Sequence, residues 1–391
     1  MTPAARTQAA IELLDAVLAA AREGGAAADT LVARYFATRR YAGSKDRRAI
    51  RELVYRAIRA FGEPPESGRA ALAGLADEDP ALAQTFDGSA RGPAAIAADE
   101  PRAVPGVAPA WLLEQLAVSG FSRFELPALV DRAPLDIRIN VLRPGPLDLP
   151  EAEPIAGLPN GRRLPSGTDV ERLDAWREGC IEVQDGGSQF VSLAAQAEPG
   201  QRIIDLCAGA GGKTLALAAA MENRGELLAT DTDRARLSRL PARAERAGAS
   251  IATTRLLDPG RELAALDDWR GGSDTVLIDA PCSGTGTWRR NPEARWRLTP
   301  ERLARLVDTQ ERLLEIGRQL VRPGGALVFI VCSLLDAEGA DRIDGFLARH
   351  RDWEAEALGL AAGRPRGEGV RLTPAHDGTD GFFVARLRAP C

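Results

Sequence analysis

Hydrophobic positions recur at helical spacing through the first sixty residues. Ile11, Leu14, Ala16, Val17 and Leu18 form one stripe, and "LVARYF" and "IRELVYRAI" continue it. Residues at this spacing fall on one face of an α-helix, so residues 4–61 are predicted as helices. From Gly62 to Pro109 the composition shifts to Ala, Gly, Pro and Asp, which predicts connections with short helices among them. A helix restarts near Trp111. "LDIRINVLRPG" then alternates apolar Ile137, Ile139 and Val141 as a strand does, and stops at Pro144. Beyond Gly179 five β-rich apolar runs appear, "RIIDLCAG", "GELLATD", "IATTRLLD", "DTVLIDAP" and "GALVFIVCS", most followed by a helical segment. Near-continuous apolar strands alternating with helices imply a parallel sheet covered on both faces. Before the last run, Thr299 suits an N-cap, Pro300 suits a first turn, and "RPGG" ends the Leu303–Leu320 stripe. "GFFVARLRA" closes the chain as a further strand. Three domains are expected: helical over 1–90, a linker with a small α+β domain over 91–178, and an α/β domain over 179–391.

Composition narrows the setting. At 45% hydrophobic and 27% charged, the 391 residues are globular in character. No run reaches the roughly 18 apolar residues of a membrane span. Glu12 and Asp15 interrupt the first helix where a signal peptide would be apolar. The five cysteines, Cys180, Cys207, Cys282, Cys332 and Cys391, show no CxxC spacing, which predicts free thiols, no metal site and a cytoplasmic setting. With only His350 and His376 present, Ser-His-Asp and Cys-His chemistry lack a base. A net charge of −5 is not that of a general nucleic-acid binder. Locally, however, Arg34, Arg39, Arg40, Lys45, Arg47, Arg48, Arg51, Arg56 and Arg59 face only Asp46 and Glu52. That segment reads either as a nucleic-acid face or as a solvated helix.

"DLCAGAGGKT", Asp205 to Thr214, follows the first strand of the α/β pattern and opens a helix, as a ligand cradle does. A P-loop would need glycine at 207, and the chain has Cys207. A dinucleotide fingerprint starting at Gly209 would need glycine at 214, and the chain has Thr214. Asp231, Asp258 and Asp279 end the second, third and fourth strands, on the edge where open parallel sheets bind ligands. An acidic residue after the second strand accepts hydrogen bonds from ribose hydroxyls. An adenosine-type ligand without a phosphate motif follows, and S-adenosyl-L-methionine fits that description.

Cys282 and Cys332 end the fourth and fifth strands and should be neighbours. Free cysteine is often a small buried hydrophobe. A thiolate also suits attack on C6 of cytosine, which makes C5 nucleophilic toward a sulfonium methyl, and it can later leave by elimination. Asp279 is placed to act near N3 or the exocyclic amine, and Cys282 or a water would remove the C5 proton.

These residues resemble the RsmB/NOP2/Sun family of RNA (cytosine-C5) methyltransferases, in particular the bacterial 16S rRNA enzymes. "VQDGGSQF", "DLCAGAGGKT", "DAPCSGTG", "RRNPEARW", "VCS" and "DGTDGFFVARL" occur in the family's order between about Gln184 and Leu387. The loop departs from many relatives in lacking a proline before its paired glycines. The resemblance implies a Rossmann-like class I methyltransferase fold and cytosine-C5 methylation of RNA, with 16S-type rRNA as substrate. It implies Cys332 as nucleophile, Cys282 as the residue assisting product release, and Asp279 at the target base. Cys207, Ala208, Gly209, Ala210, Gly211, Gly212 and Lys213 would surround the cofactor, with Asp231 on the ribose and Asp258 near the adenine. Lys213 and Lys45 are the only lysines in a chain that otherwise uses arginine, which suggests a compact ammonium in the site. The N-terminal helices resemble a short NusB-like RNA-binding domain, "RRAIRELVYRAIR" most of all, and "LDIRINVLRP" resembles the family's small linker domain. Trp288, Arg289, Arg290, Arg295, Trp296 and Arg297 are expected to stack on bases and contact phosphates. A monomer is expected. Competing readings are an RNA-binding ribosome-assembly factor without catalysis, a tRNA cytosine-C5 methyltransferase, and a thiol-redox protein using Cys282 and Cys332.

Overall fold

The computed structural model describes residues 1–391. They form two compact units, one of residues 1–132 with 287–299, the other of residues 133–286 with 300–391. No helix is long and apolar enough to cross a membrane.

The first unit is helical: α1 (Pro3–Glu23), α2 (Ala28–Thr38), α3 (Ser44–Ala60), α4 (Gly68–Ala76) and α5 (Ala110–Val118). The Thr2 side chain accepts from the Ala5 amide at the start of α1, and Gly24 ends that helix at φ 73°. Leu13, Leu14 and Val17 of α1 share a core with Ile50, Val54 and Ile58 of α3 and Leu72 of α4. A Cβ at position 68 would sit 2.3 Å from the Ile11 carbonyl oxygen, so glycine lets α4 approach α1. The unit runs on to Arg132, past the boundary expected at residue 90. Backbone bonds hold this stretch down: Ala103 N–H donates to Ala70 O (3.1 Å) and Gly106 N–H to Ala60 O (2.9 Å).

The second unit begins with a small antiparallel sheet of β1 (Leu135–Ile139), β2 (Glu153–Pro154), β3 (Gly161–Leu164) and β4 (Ile181–Val183), in the order β2-β3-β1-β4. No boundary falls at residue 178. Asp136 of β1 accepts from Gly186 N–H (3.0 Å), and Asn140 Nδ2 donates to Gly179 O (2.7 Å) and Ala247 O (2.8 Å), so this sheet is part of the larger unit.

The rest of the unit is α6 (Gly186–Leu193), β5 (Arg202–Asp205), α7 (Gly212–Ala220), β6 (Glu226–Asp231), α8 (Leu240–Ala247), β7 (Ala252–Leu256), β8 (Ser273–Asp279), α9 (Pro300–Leu320), β9 (Val321–Val331), α10 (Ala340–Arg349), β10 (Glu354–Glu356), β11 (Arg364–Arg366), β12 (Gly369–Leu372) and β13 (Phe382–Arg388). The sheet runs β11-β12-β13-β9-β8-β5-β6-β7, with β10 on β13. Strands β5 to β9 are parallel, and β13 pairs antiparallel with β9. The order reverses at β5, which makes the carboxyl ends of β5, β6 and β8 the expected ligand edge. Val276, Leu277, Ile278 and Val328–Val331 are buried, as continuous apolar runs predict. Two details differ from expectation. β7 is an edge strand whose middle residues are exposed, because nothing pairs with its outer side. α9 ends at Leu320 as expected, but "RPGG" itself lies inside β9, where Gly324 at φ +65° and a register shift between Ser273 and Thr275 accommodate an irregular strand start.

Candidate active site

Because β9, β8, β5 and β6 lie side by side in that order, their carboxyl ends share one edge of the sheet. A cavity of about 360 Å³ at this edge is lined by Cys207, Asp231, Asp279, Cys282 and Cys332, with apolar Leu206, Leu257 and Leu313. A larger groove of about 1000 Å³ lies in the helical unit beside Tyr35 and Arg39, but no cysteine or paired carboxylates line it.

The glycine loop forms one wall. Ala208 N–H donates to Thr230 O (2.8 Å), which ties the loop to β6. Gly209 (φ +56°) and Gly211 (φ +88°) take the left-handed conformation that frees the turn into α7. A Cβ at 209 would collide with the Arg236 guanidinium, so Arg236 lies against the loop. Asp231 accepts from Gly209 N–H (2.7 Å) and Asp233 N–H (2.7 Å). Each carboxylate oxygen keeps a second lone pair, and the buried side chain faces the cavity. A carboxylate acceptor beside apolar walls suits a ribose and a base. Lys213 Nζ donates to Asp279 Oδ2 (2.7 Å). Burial would lower the Lys213 pKa, but the Asp279 carboxylate outweighs it and the net direction is up. Lys213 is therefore a fixed cation behind Asp279. Beneath the loop, fully buried Asp205 accepts from Thr214 Oγ1 (2.6 Å) and has its pKa raised to about 7 by burial.

The two thiols meet: Cys282 Sγ and Cys332 Sγ are 3.3 Å apart, and both cysteines are free. The Cys282 pKa is pushed up by its hydrogen bond with Cys332, by burial, and by nearby Glu338. The Cys207 thiol is pushed up chiefly by burial and lines the cavity wall beside Leu206. Cys180 is buried in the small-sheet core and Cys391 is exposed at the terminus.

Two sets of expected site residues lie elsewhere. Asp258 is exposed and does not line the cavity; Leu257 and Glu262 do. The chain turns outward after Leu257, whose N–H is the last to bond β6, at Asp231 O (2.9 Å). The expected base-stacking segment is largely internal to the helical unit. Trp288 and Arg295 are fully buried and Trp296 nearly so. Arg295 donates to Ile58 O (2.5 Å) and Phe61 O (2.9 Å), Trp296 Nε1 to Phe61 O (3.1 Å), and Arg297 to Gly25 O (2.7 Å). Their targets include carbonyls at the C-terminal end of α3, which lack helical partners. Arg295 and Trp296 thus cap α3, and with Trp288 they are buried away from any base.

Four residues that pattern reading missed shape the site. Arg236 braces the glycine loop, and Ser283, Ser333 and Glu338 bond one another behind the thiols. The sequence did carry one trace of them: each thiol is followed by a serine, Cys282-Ser283 and Cys332-Ser333.

The sheet order, the glycine loop and the acidic residue on β6 define a Rossmann-like S-adenosyl-L-methionine-dependent methyltransferase fold. The crystal structure of PH0851 shares this fold, with a TM-score of 0.75 at 23% identity over 99% of each chain. A methyltransferase homologue from Pyrococcus horikoshii matches with a TM-score of 0.59 at 25% identity, covering 72% of this chain and 99% of that one. The chain belongs to the family described as 16S rRNA methyltransferase RsmB/F, whose model matches residues 192–388. It is 35% identical over 311 residues to the probable ribosomal RNA small subunit methyltransferase B of Synechocystis sp.. That match covers 72% of this chain and 66% of the relative's length.

Proposed function

We propose that this protein transfers the methyl group of S-adenosyl-L-methionine to C5 of a cytosine in 16S rRNA, through a covalent bond between Cys332 and C6. The observation that carries the reading is the thiol pair, 3.3 Å apart, beside Asp279 and a cavity suited to a nucleoside. Bound at Asp231 and the glycine loop, the cofactor supplies an electrophilic methyl group. Cys332 attacks as the thiolate, its proton passing to solvent. The new S–C6 bond draws on the C5–C6 π electrons and leaves C5 nucleophilic. Asp279, oriented by Lys213, hydrogen-bonds the N3 and amine edge and favours the attack. Cys282, held as a neutral thiol at rest, does not compete with Cys332. Once Cys332 is bonded to C6, Cys282 passes its proton to solvent and takes the C5 proton, and Cys332, when released, regains a proton from solvent. The C6–S bond then breaks, its electrons leave with sulfur, and the C5–C6 double bond returns as the C5 electrons close it. The products are 5-methylcytosine, S-adenosylhomocysteine and one proton.

The target base must be unstacked to meet a thiol on one side and a methyl on the other. Exposed Arg34, Arg40, Lys45 and Arg48 of the helical unit, which have no carboxylate partners, are the proposed phosphate contacts. The test is labelled methyl transfer to unmodified 16S rRNA by wild type, C332A and C282A. Wild type should yield 5-methylcytosine, C332A none, and C282A an accumulating protein–RNA adduct. Full methylation by C332A would remove the covalent mechanism. Methyl transfer to tRNA alone would move the substrate, and binding without transfer would favour the assembly-factor reading.

A further inference from the structure

Glu338 sits on the turn before α10, fully buried and outside the cavity lining. Its carboxylate receives donors from three different elements. On Oε1, the Ser283 amide donates at 2.8 Å and Gln310 Nε2 of α9 at 3.0 Å. On Oε2, the Ser333 hydroxyl donates at 2.5 Å, and the Ser283 hydroxyl donates as well. Gln310 Nε2 also donates to Pro281 O (2.9 Å), one residue before the first thiol. Thr285 Oγ1 lies 3.1 Å from Ser333 Oγ and accepts from Leu334 N–H (2.8 Å). Gly286 N–H donates to Cys332 O (3.0 Å). Each thiol is thus followed by a serine, and both serines converge on one oxygen of one carboxylate.

Resting on the cytosine-C5 reading of the thiol pair, we infer that Glu338 is a positioning residue: by receiving Ser283 and Ser333 together it sets the separation of Cys282 and Cys332. Each sulfur sits on a loop beyond a strand end, where the β-ladder no longer fixes the backbone. The β8–β9 pairing ends at Asp279 and Ile330, and the Gly286 N–H bond to Cys332 O ties the loops four residues beyond Cys282, so backbone bonds leave the Cys282 turn itself unfixed against Cys332. The carboxylate supplies four acceptor sites at the junction. Its removal would leave the Ser283 amide buried without an acceptor and Gln310 with only Pro281 O, and the 282–286 loop would move to recover the lost bond. A displacement of about 1 Å at reacting groups is enough to cost on the order of 100-fold in rate.

Two variants separate position from charge. In E338Q the amide oxygen can face the two N–H donors, while its NH2 faces the hydroxyls, which can rotate to accept. In E338L all four donors lose this carboxylate in the same volume, and Gln310 keeps only Pro281 O. We measure single-turnover methyl transfer to 16S rRNA and, without RNA, oxidation of Cys282 and Cys332 by oxidised glutathione. That reaction joins the two sulfurs in a disulfide and releases two reduced glutathiones, and peptide mapping follows it. Folded E338L should lose about 100-fold in the methyl-transfer rate with RNA affinity within about 3-fold, and should form the disulfide at least about 10-fold more slowly. E338Q should recover most of both. If E338L fails to fold, S283A/S333A takes its place, since it removes the two hydroxyl donors and leaves Glu338 with its N–H donors; about a 10-fold loss in both readouts is expected. Wild-type rates in both assays, in folded E338L or in S283A/S333A, would overturn the inference. If wild type methylates no RNA, the cytosine-C5 reading fails. The disulfide arm still decides whether Glu338 sets the thiol separation.

Discussion

The buried Arg295 offers a sharp test of what the Arg- and Trp-rich segment does. Its side chain is fully buried, and its hydrogen-bond partners are all carbonyl oxygens: Pro292 O, Ile58 O, Arg59 O and Phe61 O. No carboxylate lies within ion-pair distance, and burial pushes the guanidinium pKa down to about 9. A drop of this size corresponds to roughly 5 kcal/mol of penalty on the charged form. Against it stand several charge-assisted hydrogen bonds of about 1.5–3 kcal/mol each, on carbonyls at the negative end of α3. In R295A the penalty disappears with the bonds, but the carbonyls are left short of donors and a cavity opens. The expected net loss is about 2–4 kcal/mol. For a unit of this size that is a fall of about 10 °C in the melting temperature. R295K keeps the charge, but one ammonium cannot span the same carbonyls, so about half the loss should remain. Calorimetry of the full chain, with limited proteolysis to show that residues 1–132 open first, measures this. RNA affinity is measured in parallel, well below the transition. If R295A melts within about 2 °C of wild type while RNA affinity drops tenfold or more, the helix-capping account is wrong and the segment is an RNA contact after all.

Further outcomes follow from the cavity and the buried carboxyl. D231A should weaken S-adenosyl-L-methionine binding by about 10–100-fold by titration calorimetry, because two ribose hydrogen bonds are lost, whereas D258A should change it by less than about 2-fold. K213M should cut single-turnover methyl transfer by about 100-fold with little change in cofactor affinity, since it releases Asp279 rather than the cofactor wall. Asp205 has a folded pKa of about 7 against an unfolded value near 3.9, so the folded chain holds its proton more tightly. Its contribution to stability is complete below about pH 4 and is lost as pH rises to 7, at most about 4 kcal/mol. Urea denaturation from pH 5 to 8 should show this decline in wild type and a flatter profile in D205N.

Most of the α/β architecture was legible because parallel strands buried on both faces must be apolar throughout, and "DTVLIDAP" and "ALVFIVCS" are. The antiparallel closure by β13 was legible only as a strand, since pairing direction leaves no mark on a run such as "FFVARLR". Domain edges were not legible from composition. The Ala/Gly/Pro stretch after Gly62 looks like linker, but small residues are also what close helix packing requires, as Gly68 against the Ile11 carbonyl demonstrates. The 287–299 segment misled for a related reason. Arg and Trp have the same composition on an RNA-binding surface and in a buried cap. Only the free carbonyls at the end of α3, more than two hundred residues away, distinguish the two roles.

The site divides along the same physical line. Groups that act at strand ends were legible, because a strand signal followed by Asp or Cys fixes where that side chain emerges; Asp231, Asp279, Cys282 and Cys332 all meet at one cavity. Asp258 lies two residues past the end of the edge strand β7, exposed and outside the residues that line this cavity. Groups that act by holding others were invisible, because their meaning depends on which donors surround them. Glu338 reads as an ordinary acidic residue before a helix, yet it is fully buried, and a buried carboxylate survives only where donors surround it. Those donors come from the residues beside both thiols. The two Cys-Ser pairs are therefore one structural statement: the cysteine of each pair faces the cavity, and the serine of each reaches the shared carboxylate behind it.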